Sequence, residues 1–204
     1  MTTQPAAATT RTRGAGSNRR RWALFLSLAA VVVVTDQLAK GLVTSSLGAG
    51  QSVDVVGDLV RIVYGQNTGA LFGLFKDNAF MFGLVSLIVI GLIVGYHARA
   101  TASLYLTITL GLLLGGAIGN MLDRLRLGHV VDFVDVGVGT VRFYTFNVAD
   151  SAISLAIVLL FGAALWPWLV EGRRPPKATQ AVPETATEDE ADGAFWADEP
   201  DGRG

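Results

Sequence analysis

Four long apolar runs constrain this chain more than any other feature. Ala79 to Tyr96, Ala100 to Leu122 and Ser151 to Val170 contain no charged side chain. Each approaches or reaches the roughly 20 residues a helix needs to cross the hydrocarbon core of a bilayer. The fourth run, roughly Trp22 to Val43, differs by carrying Asp36 and Lys40 in its last two turns. Only helices and closed barrels satisfy their backbone polar groups in lipid, and runs of this length predict helices. The expected fold class is an α-helical integral membrane protein of four transmembrane helices with a small β-element on its outer, extracytoplasmic face. A basic segment before an apolar run is also the pattern of a secretory signal peptide. Here three more apolar runs follow, and no small-residue cleavage site is evident.

The chain divides into three stretches: a basic tail at 1–20, a membrane domain at 21–171 and an acidic tail at 172–204. Eight carboxylates lie between Glu184 and Asp201, so the net charge of -1 conceals a strong segregation. Both tails have the composition of disordered segments, and Trp196 is read as part of an unstructured end. Arg19, Arg20, Arg21, Arg99, Arg173, Arg174 and Lys177 fall on one side of the four spans, which predicts two cytoplasmic termini. Between the first two spans, Ser52 to Val56 and Leu59 to Tyr64 flank Gly57 and Asp58, the pattern of a β-hairpin at 52–64. Gly111, Gly115 and Gly119 recur every four residues in the third span, where they would let another helix approach closely.

There is no cysteine, which excludes a thiol nucleophile, thiolate metal sites and disulfides. No two-histidine zinc helix motif is present; His97 falls on the cytoplasmic side and His129 stands alone as an interfacial side chain. No metal or cofactor is expected. What remains is oxygen chemistry. The carboxylates between Trp22 and Val170 are Asp36, Asp54, Asp58, Asp77, Asp123, Asp132, Asp135 and Asp150, all aspartates and all on the expected outer side. Ionisable groups at membrane depth are costly and are functional candidates by default.

Asp36 and Lys40, spaced i, i+4, can pair on one helix face, with Lys40 snorkelling toward the headgroups as the structural alternative to a functional role. Asp123 beside Arg124 reads as a salt-bridged corner. Asp132 sits among Val130, Val131, Phe133 and Val134, so its carboxylate should be desolvated and its pKa raised. Asn147 and Asp150 fit a helix N-cap and its capping box, a structural reading that competes with catalysis. Asp54, Asp58, Asp77 and Asp135 are expected to be solvated loop residues.

Taken together, four stretches resemble lipoprotein signal peptidase (signal peptidase II), a family of membrane aspartyl proteases. They are Asp36, Gln37 and Lys40; Asn67, Gly69, Ala70 and Phe72; Gly119, Asn120, Asp123, Arg124, Gly128, Val131, Asp132 and Phe133; and Phe146, Asn147, Ala149, Asp150 and Ser151. Leu71 departs from the family's more usual alanine, and the long tails have no counterpart in the resemblance. The resemblance implies a catalytic pair of Asp132 and Asp150. It also implies site-supporting roles for Asp36, Lys40, Asn67, Gly69, Ala70, Asn120, Asp123, Arg124 and Asn147. The implied substrates are lipid-modified prolipoproteins, cleaved before the diacylglyceryl cysteine at the outer face of the bacterial inner membrane. Membrane lipids are the other expected partners, and nucleic acid is not one. The competing reading from another class is a small proton-coupled transporter or channel. Against it, the aspartates sit at helix ends, and no repeated pair of interrupted helices is found. A non-catalytic scaffold would explain the helices but not the aspartates.

Overall fold

A computed structural model describes residues 13–68, 79–100 and 103–170, with residues 13–15 and 79–80 described by backbone alone. The chain separates into a unit of Met1–Gly172 and one of Arg173–Gly204, and every described residue belongs to the first. Gly69, Ala70, Leu71, Phe72, Lys76 and Asp77 lie outside the described residues, as do Trp196 and most of both tails.

The four expected helices are present: α1 Arg13–Ser46, α2 Ala79–Arg99, α3 Leu104–Leu127 and α4 Val148–Leu165, the last followed by a 3-10 turn at Pro167–Leu169. All four are long and apolar enough to cross a membrane. The first starts earlier than the apolar run suggests. Its helix takes in residues 13–20, read from composition as tail, because an established helix adds one backbone hydrogen bond for each residue it fixes, even through poor helix formers such as Gly14, Gly16, Ser17 and Asn18.

The helix α3 is central, with α1, α2 and α4 each packed on it. Its glycines explain how. A Cβ on Gly111 would stand 3.1 Å from the Phe25 carbonyl oxygen, one on Gly115 2.6 Å from Val32 Cβ, and one on Gly119 2.8 Å from Asp36 Oδ2. The expected glycine face is therefore the groove that receives α1, whose buried residues Phe25, Ala29, Val32, Asp36 and Lys40 follow helical spacing. Gly116 does the same for α4, since a Cβ there would lie 2.5 Å from the Ala149 carbonyl oxygen. Gly116→Ala is expected to cost roughly 1–3 kcal/mol by overpacking against backbone that cannot yield. Gly91, with nothing within 4 Å, should accept alanine with no loss. Thermal-unfolding midpoints of the two variants in detergent check this contrast.

Away from α3, the helices present side chains that water would not tolerate. Leu38 is 63% exposed, Leu92 68% and Val158 65%. Lipid is the solvent that accounts for them.

The hairpin is confirmed and larger than the sequence indicated. Strands β1 Ser52–Val56 and β2 Val60–Asn67 are joined through Gly57, whose φ of 48° lies in the left-handed region. They continue into β3 Val130–Val138 and β4 Val141–Arg142 in one antiparallel sheet of order β1-β2-β3-β4. Gly128, at φ 75°, ends α3 and turns the chain into β3.

One irregularity in the sheet decides which side chains share a face with Asp132. Ile62 pairs with Val134, but Gly65 pairs with Asp132 and Asn67 with Val130, so β2 carries one extra residue between the two registers. Side chains alternate along a strand, and a slip of one residue exchanges its faces. The bulge thus sets Asn67, not Gln66, opposite Val130 and on the Asp132 face. Gly65, directly opposite Asp132, leaves that face uncovered; a Cβ there would meet the Asp132 carbonyl oxygen at 3.0 Å.

Candidate active site

The sheet abuts the end of the bundle where α1 and α3 finish and α4 begins, and the buried polar residues gather there. Asp36, Lys40, Asn120, Asp123, Asp132 and Asn147 are each at most 8% exposed.

Their arrangement starts from α1. Asp36 and Lys40 pair as their spacing predicts, at 2.7 Å. Lys40 does not snorkel: its ammonium turns inward, also lying 2.7 Å from Asp123 Oδ2 and donating to Asn120 Oδ1 at 3.1 Å. Two buried carboxylates and an amide oxygen thus surround one buried cation, the condition under which such charges persist inside a protein. Asp36 uses its other oxygen to accept the Ala149 backbone N–H at 2.9 Å, which fixes the start of α4. Asp123 does not pair with Arg124. It accepts from Gln37 at 2.8 Å and from the backbone N–H of Val131 at 3.2 Å, so it clamps β3 one residue before Asp132. Arg124 points away, donating to the Asn120 carbonyl at 3.1 Å and lying over the Phe82 ring. The adjacent charges in sequence diverge because α3 places successive side chains about 100° apart.

Asp132 and Asp150 reach this network from different elements. Asn67 Nδ2 donates to Asp132 Oδ2 at 3.0 Å and Asn147 Nδ2 to Asp132 Oδ1 at 2.7 Å. Asn120 Nδ2 donates to Asp150 Oδ1 at 2.7 Å, while Asp150 Oδ2 accepts the Asn147 backbone N–H at 3.3 Å. Asn147 Nδ2 also approaches Asn120 Oδ1, at 3.3 Å, so the two amides join the two carboxylates. The capping box at the start of α4 is present in full. The box occupies only one Asp150 oxygen, and the other faces Asn120.

Burial first, and then the nearby Asp150 charge, push the Asp132 carboxyl up to about 6 against the opposing amides of Asn67 and Asn147 and the charge of Lys40. A carboxyl poised near neutrality beside a second carboxylate can share a proton, give one up or accept one. Next to the pair, a cavity of about 240 Å³ is lined by Phe82, Val85, Val89 and Ile153 together with Asn120 and Arg124. Among the described residues, no group of three or more His, Cys, Asp or Glu side chains could hold a metal ion.

Of the residues singled out from sequence, Asp36, Lys40, Asn67, Asn120, Asp123, Asp132, Asn147 and Asp150 come together, Arg124 stands at the cavity, and Gly69 and Ala70 lie outside the described residues. Gln37, quoted in the first of the four stretches but given no role there, joins the network as well, donating to Asp123. Asp135 corrects its reading as a solvated loop residue. It is 5% exposed, directly opposite Arg61 in the sheet and bonded to Arg61 and Arg142 at 3.1 and 2.7 Å. The Arg142 guanidinium holds its carboxyl below the usual carboxylate range, and Arg61 adds to this. Asp58 pairs with Arg142 at 3.1 Å and accepts the Gly139 backbone N–H, the main cause of its lowered pKa. These four charges fasten the sheet.

Residues 28–166 match a family model described as signal peptidase (SPase) II. The chain is 42% identical over 135 residues to a lipoprotein signal peptidase of Geobacillus kaustophilus, spanning 66% of this chain and 88% of the relative. A Moorella thermoacetica lipoprotein signal peptidase is 37% identical over 152 residues, 74% of this chain and 99% of the relative. Among solved structures, a bacterial membrane enzyme determined by the in meso method at 2.3 Å resolution superposes with a TM-score of 0.66 at 26% identity. It covers 83% of this chain and all of its own length.

Proposed function

The chain belongs to the signal peptidase II family, and on that premise we propose that it is an aspartyl endopeptidase of the bacterial cytoplasmic membrane, with Asp132 and Asp150 as its catalytic pair. Its family makes it a protease that processes prolipoprotein signal peptides. The proposed substrate is lipid-modified, and the proposed cleavage lies immediately before the diacylglyceryl cysteine. The observation that carries the mechanism is the amide-bridged meeting of two carboxylates from β3 and α4 at one buried end of the bundle.

The pair holds one proton. The ionised carboxylate takes a proton from water as the water oxygen bonds to the scissile carbonyl carbon. The protonated carboxyl donates to the carbonyl oxygen, giving a neutral tetrahedral diol. A carboxyl proton then passes to the amide nitrogen while the other carboxylate takes the proton of a diol hydroxyl, the C–N bond breaks, and the free carboxyl and amine leave with the pair again holding one proton. Asn67 and Asn147 orient Asp132, Asn120 orients Asp150, and Lys40 fixes Asn120. The apolar side of the neighbouring cavity suits the hydrophobic segment of a signal peptide. The basic ends of α1 and α2 lie at the opposite end of the bundle, so the positive-inside rule puts the termini in the cytoplasm and the aspartates at the outer face. A proton-carrying pathway is not favoured, because the buried carboxylates share one end of the bundle instead of crossing it.

Purified protein incubated with a diacylated prolipoprotein should release the signal peptide, seen as a gel shift, and should leave the unmodified precursor intact. No cleavage of the diacylated form would refute the proposal. A pH profile tests the proton assignment. The Asn67 amide lowers the Asp132 pKa, so Asn67→Ala should raise it. Loss of the shared proton limits activity on the alkaline side, and that limb of kcat/KM is expected to move to higher pH in the variant. A limb that stays put or moves down would remove Asp132 from the proton-holding role.

A further inference from the structure

The opposite end of the bundle carries a second, unrelated cavity. It measures about 570 Å³, lies between the start of α1 and the start of α3, and is lined by Ser17, Arg20, Arg21, Leu24, Leu104 and Thr107. Arg21 is held rigidly across the end of α2, its Nη2 donating to the carbonyls of His97 at 3.1 Å and Ala100 at 3.4 Å. Its Nε has no hydrogen-bond partner. Among the described residues, no carboxylate pairs with Arg20 or Arg21. The other wall is apolar and open: Leu24 is 38% exposed and Leu104 65%. Trp22, one residue past the arginines, marks this level as a membrane–water boundary.

We propose that this cavity binds an anionic glycerophospholipid, its phosphate between the Arg20 and Arg21 guanidiniums and an acyl chain along Leu24 and Leu104. Two guanidiniums without a carboxylate partner select an anion, and planar donor forks suit phosphate oxygens. An apolar wall continuous with the lipid-facing surfaces of α1 and α3 selects a lipid over a free anion. A lipid seated there would brace α1 against α3 at the end remote from the aspartates. This site is independent of the proposed catalysis, so either assignment can fail without the other.

The full-length protein in neutral detergent, titrated with phosphatidylglycerol, phosphatidylcholine or inorganic phosphate, provides the test, read by native mass spectrometry and by the thermal-unfolding midpoint. Phosphatidylglycerol should be retained about tenfold more tightly than phosphatidylcholine and should raise the midpoint, and Arg20→Gln should abolish that preference while leaving prolipoprotein cleavage unchanged. Arg21→Gln should weaken the same lipid similarly. Equal retention of the two lipids, or full preference in both variants, would overturn the site. Stabilisation by inorganic phosphate matching that by phosphatidylglycerol would overturn its assignment to lipid. A wild-type midpoint that falls when the carboxylates between Glu184 and Asp201 become amides, with no lipid preference, would make the chain's own acidic segment the occupant.

Discussion

Asp132→Asn and Asp150→Asn are each expected to insert and fold while cleaving a diacylated prolipoprotein about 10³-fold more slowly, or not detectably. The substitution is close to isosteric, which separates chemistry from architecture. An asparagine at 132 can still accept from Asn147, whose donor lies 2.7 Å away, and one at 150 can still accept the Asn147 backbone N–H through its own amide oxygen. Neither can exchange the proton on which the reaction turns. Loss of the cap at 150 would cost about 0.5–2 kcal/mol, too little to unfold the bundle and far too little to mimic the expected rate loss. The double variant should be no slower than the slower single one, because two groups that share a proton fail as a unit. Single-turnover cleavage by the purified variants, with thermal midpoints alongside, checks all three. Full activity in either single variant would remove that residue from the chemistry, and multiplying losses in the double variant would argue against a shared proton.

How far the sequence foreshadows this arrangement depends on the range of each interaction. The helices follow from uncharged runs, and the Asp36–Lys40 pair and the Asn147–Asp150 capping box from spacings of four and three within one helix. Such contacts need no knowledge of the rest of the fold. Strand β3 is harder to read. Its Val130 and Val131 are buried, and an apolar stretch of that length does not by itself distinguish strand from buried helix. Without β3, neither the Arg61–Asp135 pairing nor the burial of Asp135 can be anticipated. The bulge in β2 is likewise set by pairing, since nothing local in Val63 or Tyr64 announces an extra residue. Asp123 shows the same limit: its neighbour in sequence is Arg124, yet its cation is Lys40, on another helix. The resemblance to a known family locates these residues as a group, but only the fold assigns each of them a partner.

Lys40→Met should produce the largest loss of stability of any single change at this site. The variant keeps an unbranched, flexible side chain one heavy atom shorter and removes its charge, leaving Asp36 and Asp123, 0% and 3% exposed, without a cation. Stranding a buried charge costs on the order of 3–5 kcal/mol, and here two carboxylates are stranded together. The loss also reaches the proposed catalytic pair. Asn120 would lose the ammonium at 3.1 Å that fixes its amide, and with it the orientation of Asp150; the charge opposing the rise of the Asp132 pKa would go too. Lys40→Met is therefore expected to accumulate poorly in the membrane, and whatever folds should cleave slowly. Adding Asp36→Asn removes one stranded charge while keeping an acceptor for the Ala149 N–H at 2.9 Å, so the double variant should regain about 1–2 kcal/mol over Lys40→Met. Its activity should not recover, because Asn120 remains unheld. Lys40→Arg should not substitute, since a planar fork does not fill the place of a compact ammonium with three buried acceptors around it. Membrane accumulation, thermal midpoint and cleavage rate across this series separate the two effects. A Lys40→Met protein that is stable and fully active would show that the buried cation neither balances the carboxylates nor positions the pair.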